Sequence, residues 1–201
     1  ESFLDEIEHY ESEQQQALNQ PPTPVFSRAQ NNIRRIFIPW FGPHSVVYTG
    51  LFKSLRNMDV VQMPPPDMES IRMGEEVSSG RECHPYTILA GDILRLLRDH
   101  TPVKGDGIYF MSTINPCLLS QYGDGYRLIV RNAETPLEIL DLQASELWDI
   151  LGFGRLRLLM EGLASIDSLI TLRHRFRPYE PAEGLVDTII DTTIAGVEKA
   201  P

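Results

Sequence analysis

Cysteine is scarce in this chain, with two among 201 residues. That excludes a disulfide-built scaffold and leads us to expect a reducing, cytoplasmic setting. Long apolar runs are missing as well: none reaches the roughly 18–20 residues that cross a bilayer. The opening Glu1-Ser2-Phe3-Leu4-Asp5-Glu6 is acidic where a secretory leader is basic, and no initiator Met precedes it. A piece of a longer polypeptide is the expectation. Positive charge is in deficit, 18 Lys and Arg against 28 Asp and Glu, for a net charge of −10. Nucleic-acid partners, which need clustered Lys and Arg, are therefore not expected. Also missing are the GxxxxGK[ST] phosphate cradle, the GxSxG nucleophile elbow, and any CxxC or HxxxH spacing. Those absences remove the sequence signatures of P-loop nucleotide binding, serine-hydrolase chemistry and self-contained zinc sites.

What is present is enough apolar residue, 42%, for one core. Residues 1–31 read as an acidic helical arm, with Phe3, Leu4, Ile7, Tyr10 and Leu18 on a narrow stripe, closed by Pro21-Pro22-Thr23-Pro24. Residues 32–177 alternate strand and helix. Strands are predicted at Ile33–Pro39, Asp59–Met63, Gly107–Ser112 and Leu137–Leu142. Helices are predicted from Ser45, a candidate N-cap; from Asp67 through Ile71 and Met73; from Pro85 to about His100; and after Pro116. A further one runs from Ser145 to His174, interrupted at Gly152 and Gly154. Glu75–Gly80 reads as a loop. Residues 178–201 form a C-terminal helical arm around Val186, Ile189, Ile190 and Ile194. The alternation predicts an α/β fold, an open parallel sheet of about four strands, flavodoxin- or Rossmann-like, with helical N- and C-terminal arms.

The two cysteines sit where chemistry is plausible. Cys83 precedes the helix at Pro85, and Cys117 precedes the helix after Pro116. Free N–H groups and the dipole at a helix start favour thiolate over thiol. In an open parallel sheet, ligands gather at the carboxyl ends of the strands. His44 follows the first strand and Asn115 the third, and the Glu82-Cys83-His84 loop opens the helix before the third strand. His44, Glu82 and Asn115 are accordingly the cofactor-contacting candidates, with Cys83 and Cys117 the metal-ligand candidates. A buried apolar role for each cysteine and a redox disulfide pair remain open on the residues alone. The carboxylates Asp67, Glu69, Glu75, Glu76 and Glu82 read as a solvated stretch.

Several segments resemble a known family in content and order. They are Ile36-Phe37-Ile38-Pro39 with Gly42 and His44, then Gly74 ahead of Ser79-Gly80-Arg81-Glu82-Cys83. Pro85 with Gly91-Asp92 follows, and then Pro116-Cys117 with Gln121-Tyr122. Residues 33–142 resemble the D-component domain of 2-hydroxyacyl-CoA dehydratases, most closely the form fused into large CoA-enzyme activase-like proteins. The family's Gly-Pro-Cys-Arg-x-Gly-Gln-Tyr is altered here: Asn115, Leu118 and Ser120 replace the first Gly, the Arg and the second Gly. The resemblance implies an iron–sulfur cluster (4Fe-4S or related) on cysteine thiolates, here Cys83 and Cys117. It implies a low-potential electron passed toward an acyl-CoA dehydratase or similar enzyme. It also implies an ATPase partner of the acetate/sugar-kinase type, fused or separate. No third matching cysteine and no ATPase motif is present, so activity of this chain alone is not expected. A non-catalytic docking or regulatory module of the same fold is the rival expectation.

Overall fold

Four short apolar runs, each bounded by Pro, Gly or a charged turn, become the strands of one sheet. The computed structural model describes residues 33–55, 58–112, 122–142 and 144–197. Strands β1 (Arg35–Ile38), β2 (Asp59–Gln62), β3 (Asp106–Met111) and β4 (Glu138–Leu142) lie in the order β2-β1-β3-β4, every pair parallel. Between and after them run α1 (Ser45–Lys53), α2 (Met68–Val77), α3 (His84–Asp99), α4 (Tyr122–Asn132), α5 (Ala144–Phe176) and α6 (Leu185–Val197). The expected open parallel α/β sheet, Rossmann-like in layout, is what forms. Among the described residues no helix is long and apolar enough to cross a membrane. The predicted N-terminal arm lies outside the described residues, whereas the C-terminal helix α6 packs on α1 and α5.

Alternation along the strands divides the core in two. Phe37, Ile108, Phe110 and Ile139 face α3 and α4, joining Tyr86, Ala90, Ile93, Leu96, Tyr126 and Val130 in one cluster. The intervening Tyr109 faces the other way, its ring 5.3 Å from Phe52 and 5.4 Å from Tyr48 of α1. Phe41 packs edge-on against both Tyr48 and Tyr109, as a loop-covering aromatic should. Leu147, Leu151, Leu159 and Ile166 bury one side of α5. That helix bends at Gly152, whose φ of 67° and ψ of 172° are non-helical, at the interruption its two glycines predict.

Some local expectations change. Asp67 caps α2 through the Ser70 N–H at 2.8 Å, and Ser70 returns the contact to the Asp67 N–H, so the cap is reciprocal. The helix continues to Val77, past the loop predicted from Glu75. Ser45 does not cap α1. His44 occupies the cap position, and the Ser45 hydroxyl instead donates to the Pro39 carbonyl at 3.1 Å and accepts from the Phe41 N–H. Ser45 therefore ties down the turn that leaves β1. Arg95, in the last turns of α3, is buried. It donates to the carbonyls of Pro64 (2.7 Å) and Pro65 (2.9 Å) and to Asp92 (2.9 Å).

Helices α2 and α3 approach backbone to backbone. A Cβ on Gly74 would lie 1.9 Å from the Thr87 carbonyl oxygen, and one on Gly91 would lie 1.8 Å from that of Ser70. Backbone cannot yield as a side chain can, so Gly91→Ala must push the helices apart. The expected cost is about 3 kcal/mol, against well under about 1 kcal/mol for the exposed Glu75→Ala control, read from urea midpoints.

Burial pushes the Asp92 carboxyl up to about 6 despite the nearby Arg95. Its Oδ2 has no hydrogen-bond partner among the described residues. The folded state therefore holds this proton at pH values where the unfolded chain has released it. The stabilisation is complete below pH 3.8 and is lost as pH rises through about 6. Asp92→Asn is expected to remove that fall, on the order of 3 kcal/mol. Subtracting its stability–pH curve from the wild-type curve isolates the effect; parallel curves across the window would refute it.

Candidate functional site

Parallel strands force each crossover helix to start at the sheet's carboxyl edge and run back. Helix α4 lies between β3 and its parallel neighbour β4 in sequence and so starts at that edge. Helix α3 spans 16 residues, about 24 Å at 1.5 Å per residue, and leads into the start of β3. Its first turn thus reaches the same edge as the first turn of α4. The side chains confirm the meeting. Cys83, the N-cap residue of α3 and exposed, has its Sγ 2.7 Å from the Tyr122 hydroxyl, which donates to it. The Cys83 N–H points back at the same Tyr122 oxygen at 3.4 Å. Tyr122 opens α4 and is itself buried.

Beneath that contact lies a group of tyrosines. The Tyr86 ring is 4.9 Å from Tyr122, edge-on, and 5.0 Å from Tyr126, stacked at 12°. Phe110 of β3 closes the group, 5.1 Å from Tyr126. The Tyr126 hydroxyl donates to the Tyr86 carbonyl at 3.3 Å. Burial raises the Tyr126 phenol above its ordinary range. Burial and then the Glu82 charge raise that of Tyr86. These phenols therefore stay protonated, and that of Tyr126 acts as a hydrogen-bond donor. Tyr86 presses against α4 where Gly125 leaves room: a Cβ there would lie 2.9 Å from the Tyr86 oxygen.

The remaining candidates fall as follows. The Glu82 carboxylate turns into its own loop, accepting from the Ser79 N–H (3.0 Å) and the Ser79 hydroxyl (2.9 Å). Hydrogen bonds from its own backbone N–H and then from the Ser79 hydroxyl hold its carboxyl below the ordinary range. Glu82 thus shapes the turn that presents Cys83. The Nε2 of His44 meets Asp167 of α5 at 2.8 Å, so His44 joins α1 to α5, away from the cysteine turn in its bonding. Asn115 and Cys117 lie outside the described residues. Among the described residues no three His, Cys, Asp or Glu side chains gather where they could hold a metal ion. On the α1–α5 side a separate apolar groove of about 630 Å³ runs between Tyr48, Met111, Trp148, Leu156 and Met160.

Sequence reasoning did not single out Tyr122, Tyr86 and Tyr126 as site residues. A signal was available: Tyr122 and Tyr126 are spaced i, i+4 at the start of a helix and so share a face. The partner of that face, Tyr86, is fixed only by tertiary packing.

Glu82→Ala should speed amide hydrogen exchange at Ser79, whose N–H loses its acceptor, while exchange within α3 beyond its first turn stays unchanged. Unaltered protection at Ser79 would show that the turn does not depend on the carboxylate.

No family model, curated protein or solved structure matches this chain.

Proposed function

We propose that this chain is an iron–sulfur-binding electron-transfer module of a CoA-enzyme activase or dehydratase-like system, in which Cys83 and Cys117 are thiolate ligands. The observation that carries the reading is the Tyr122–Cys83 contact. Tyr122 closes the second cysteine-containing segment, five residues after Cys117, and its hydroxyl rests on the sulfur of the first. Cys83 and Tyr122, 39 positions apart, each belong in sequence to a segment that resembles one of the family's cysteine motifs, and their contact supports the reading. Open parallel sheets bind their ligands along their carboxyl rim.

The donor set fits part of a cluster. Cys83 offers an accessible sulfur at a helix start with a hydroxyl aimed at it, and such outer-shell donors tune cluster potentials. A complete cluster takes three or four thiolates, and the sequence holds two cysteines. The remaining ligands come, on this reading, from another domain or chain. When bound, the cluster would supply a low-potential one-electron carrier. The chain's own residues would hold it at the rim, exclude water through the tyrosine group, and direct hydrogen bonds to sulfur. The partners on this reading are ATPase domains of the acetate/sugar-kinase type and an acyl-CoA dehydratase, and the chain does not turn over by itself.

The test is anaerobic incubation of the full chain with ferrous iron, sulfide and a small thiol that can fill the outside positions. Wild-type protein should keep iron through gel filtration and show broad visible absorption. Cys83→Ala and Cys117→Ala should each lower retained iron at least about tenfold. Colourless wild type, or variants that keep as much iron as wild type, would overturn the reading in favour of a non-catalytic docking module on the same scaffold.

A further inference from the structure

We infer that the α1–α5 side of the molecule is a dimer interface, on which a second copy of this chain packs about a twofold axis beside Gly152. Each copy seats the other's Phe153 in its apolar groove. The inference is independent of the cluster reading, since the groove shares no residue with the Cys83–Tyr122 contact. It starts from a knob and a hole on one face. The hole is the groove of about 630 Å³ bounded by Tyr48, Met111, Trp148, Leu156 and Met160. The knob is Phe153, just past the bend in α5. It is 69% exposed, and its one ring contact among the described residues is Trp148, edge-on at 5.9 Å. Trp148 also lines the groove, so knob and hole adjoin. A surface that carries both is self-complementary under a twofold, the commonest symmetry of protein oligomers. A small apolar ligand would fill the groove and leave Phe153 in water; a second copy covers both.

Area and charge support the same occupant. A stable interface takes about 800 Å² from each partner. Apolar side chains already exposed here are Phe153, Trp148 at 49% and Met160 at 60%, with Met111 beside them. They supply on the order of half that area. Their exposed charged neighbours on α5, Asp149, Arg155, Arg157 and Glu161, supply a rim, and an apolar centre within a polar rim is the anatomy of such a contact. Arg157 and Glu161 pair within the chain at 2.7 Å. Asp149 and Arg155 have no ion pair among the described residues. They carry opposite charges and stand three positions to either side of Gly152. A twofold beside Gly152 brings Asp149 of each copy to Arg155 of the other, so the pair forms twice. The same axis sets Trp148, four positions before the glycine, against Leu156, four after it, both of them in the groove wall. A Cβ on Gly152 or Gly154 would meet no atom within 4 Å, so the bend is open to close approach.

The experiment is sedimentation equilibrium of the full chain, without metal and with a reducing agent so that no disulfide joins copies. Wild-type protein at about 100 μM should show twice the chain's 22.8 kDa. A monomer at that concentration overturns the proposal and leaves the groove to a small apolar ligand. Phe153→Ser removes an exposed side chain and should weaken the dimer at least about thirtyfold, as loss of an aromatic anchor does. Tyr179→Ser removes a side chain 82% exposed and outside the groove, and should keep the wild-type mass. Asp149→Arg and Arg155→Asp each set like charges against one another and should weaken association at least about tenfold. Combining the two reversals should restore it. Wild-type affinity in Phe153→Ser protein, or a double reversal no tighter than either single change, overturns the proposal. Should Phe153→Ser fail to fold, the charge-reversal set decides by itself.

Discussion

All four strands point the same way, and the placement of chemistry in this molecule depends on that. A parallel pair cannot be joined by a tight turn, so each connection must carry the chain back across the sheet. Helices supply that return, and their N-termini, with unpaired N–H groups and positive dipole ends, collect along the carboxyl edge. The order β2-β1-β3-β4 adds a second consequence. The chain leaves β1 in one direction and β3 in the other, which opens the sheet's edge between them. The helix preceding β3 and the helix following it pack on the same face, within one cluster of buried side chains. Their first turns meet, and Cys83 and Tyr122 are the residues at the meeting.

The position of Cys83 depends on how firmly α3 is held. Near its middle, Gly91 receives the Ser70 carbonyl of α2 so closely that no side chain fits. One turn further, Arg95 gathers the Pro64 and Pro65 carbonyls, fastening the helix to the chain that leaves β2. Arg98 reaches Glu69 at 2.7 Å, but this exposed pair contributes little beside the buried contacts. Asp92 is the unusual member. Its Oδ1 is paired with Arg95, while its Oδ2 is buried without a partner among the described residues. A half-satisfied carboxylate is costly in an apolar setting. That cost of burying the charge is the physical origin of the raised carboxyl, which keeps its proton up to about pH 6.

The strands and most helices were legible because their signals are local. Val60 and Val61, or Ile36 to Ile38, read as strand without reference to neighbours. Asp67 read as a cap because capping is settled within four residues. The errors share a cause. Ser45 has the right chemistry for a cap, but Pro39 and Phe41 compete for its hydroxyl and win. The burial of Arg95 is likewise decided by the path of the Pro64–Pro65 turn, whose carbonyls it meets. Gly125 leaves the gap into which Tyr86 packs, which no local signal announces. In each case the deciding partner lies on another element, where periodicity carries no information. The candidate site divides the same way. The helix-start position of Cys83 was readable from Pro85 and the apolar face behind it, whereas its partner, 39 positions away, was not.

Tyrosine, rather than leucine or phenylalanine, is the side chain that this meeting of helices calls for. The first turns of α3 and α4 must pack against the end of β3, which demands large apolar surfaces such as the rings that meet Phe110. They must also leave no polar backbone group stranded beside an exposed sulfur. Each ring here carries a hydroxyl at its rim, and two of those hydroxyls reach the neighbouring turn: Tyr126 the Tyr86 carbonyl, and Tyr122 the Cys83 sulfur. A phenylalanine at either position would keep the packing and lose the acceptor's partner. A serine would keep a hydroxyl and lose the packing that aims it. The aromatic body fixes where the oxygen points, so the rigidity of the core is transferred to a single atom at the surface.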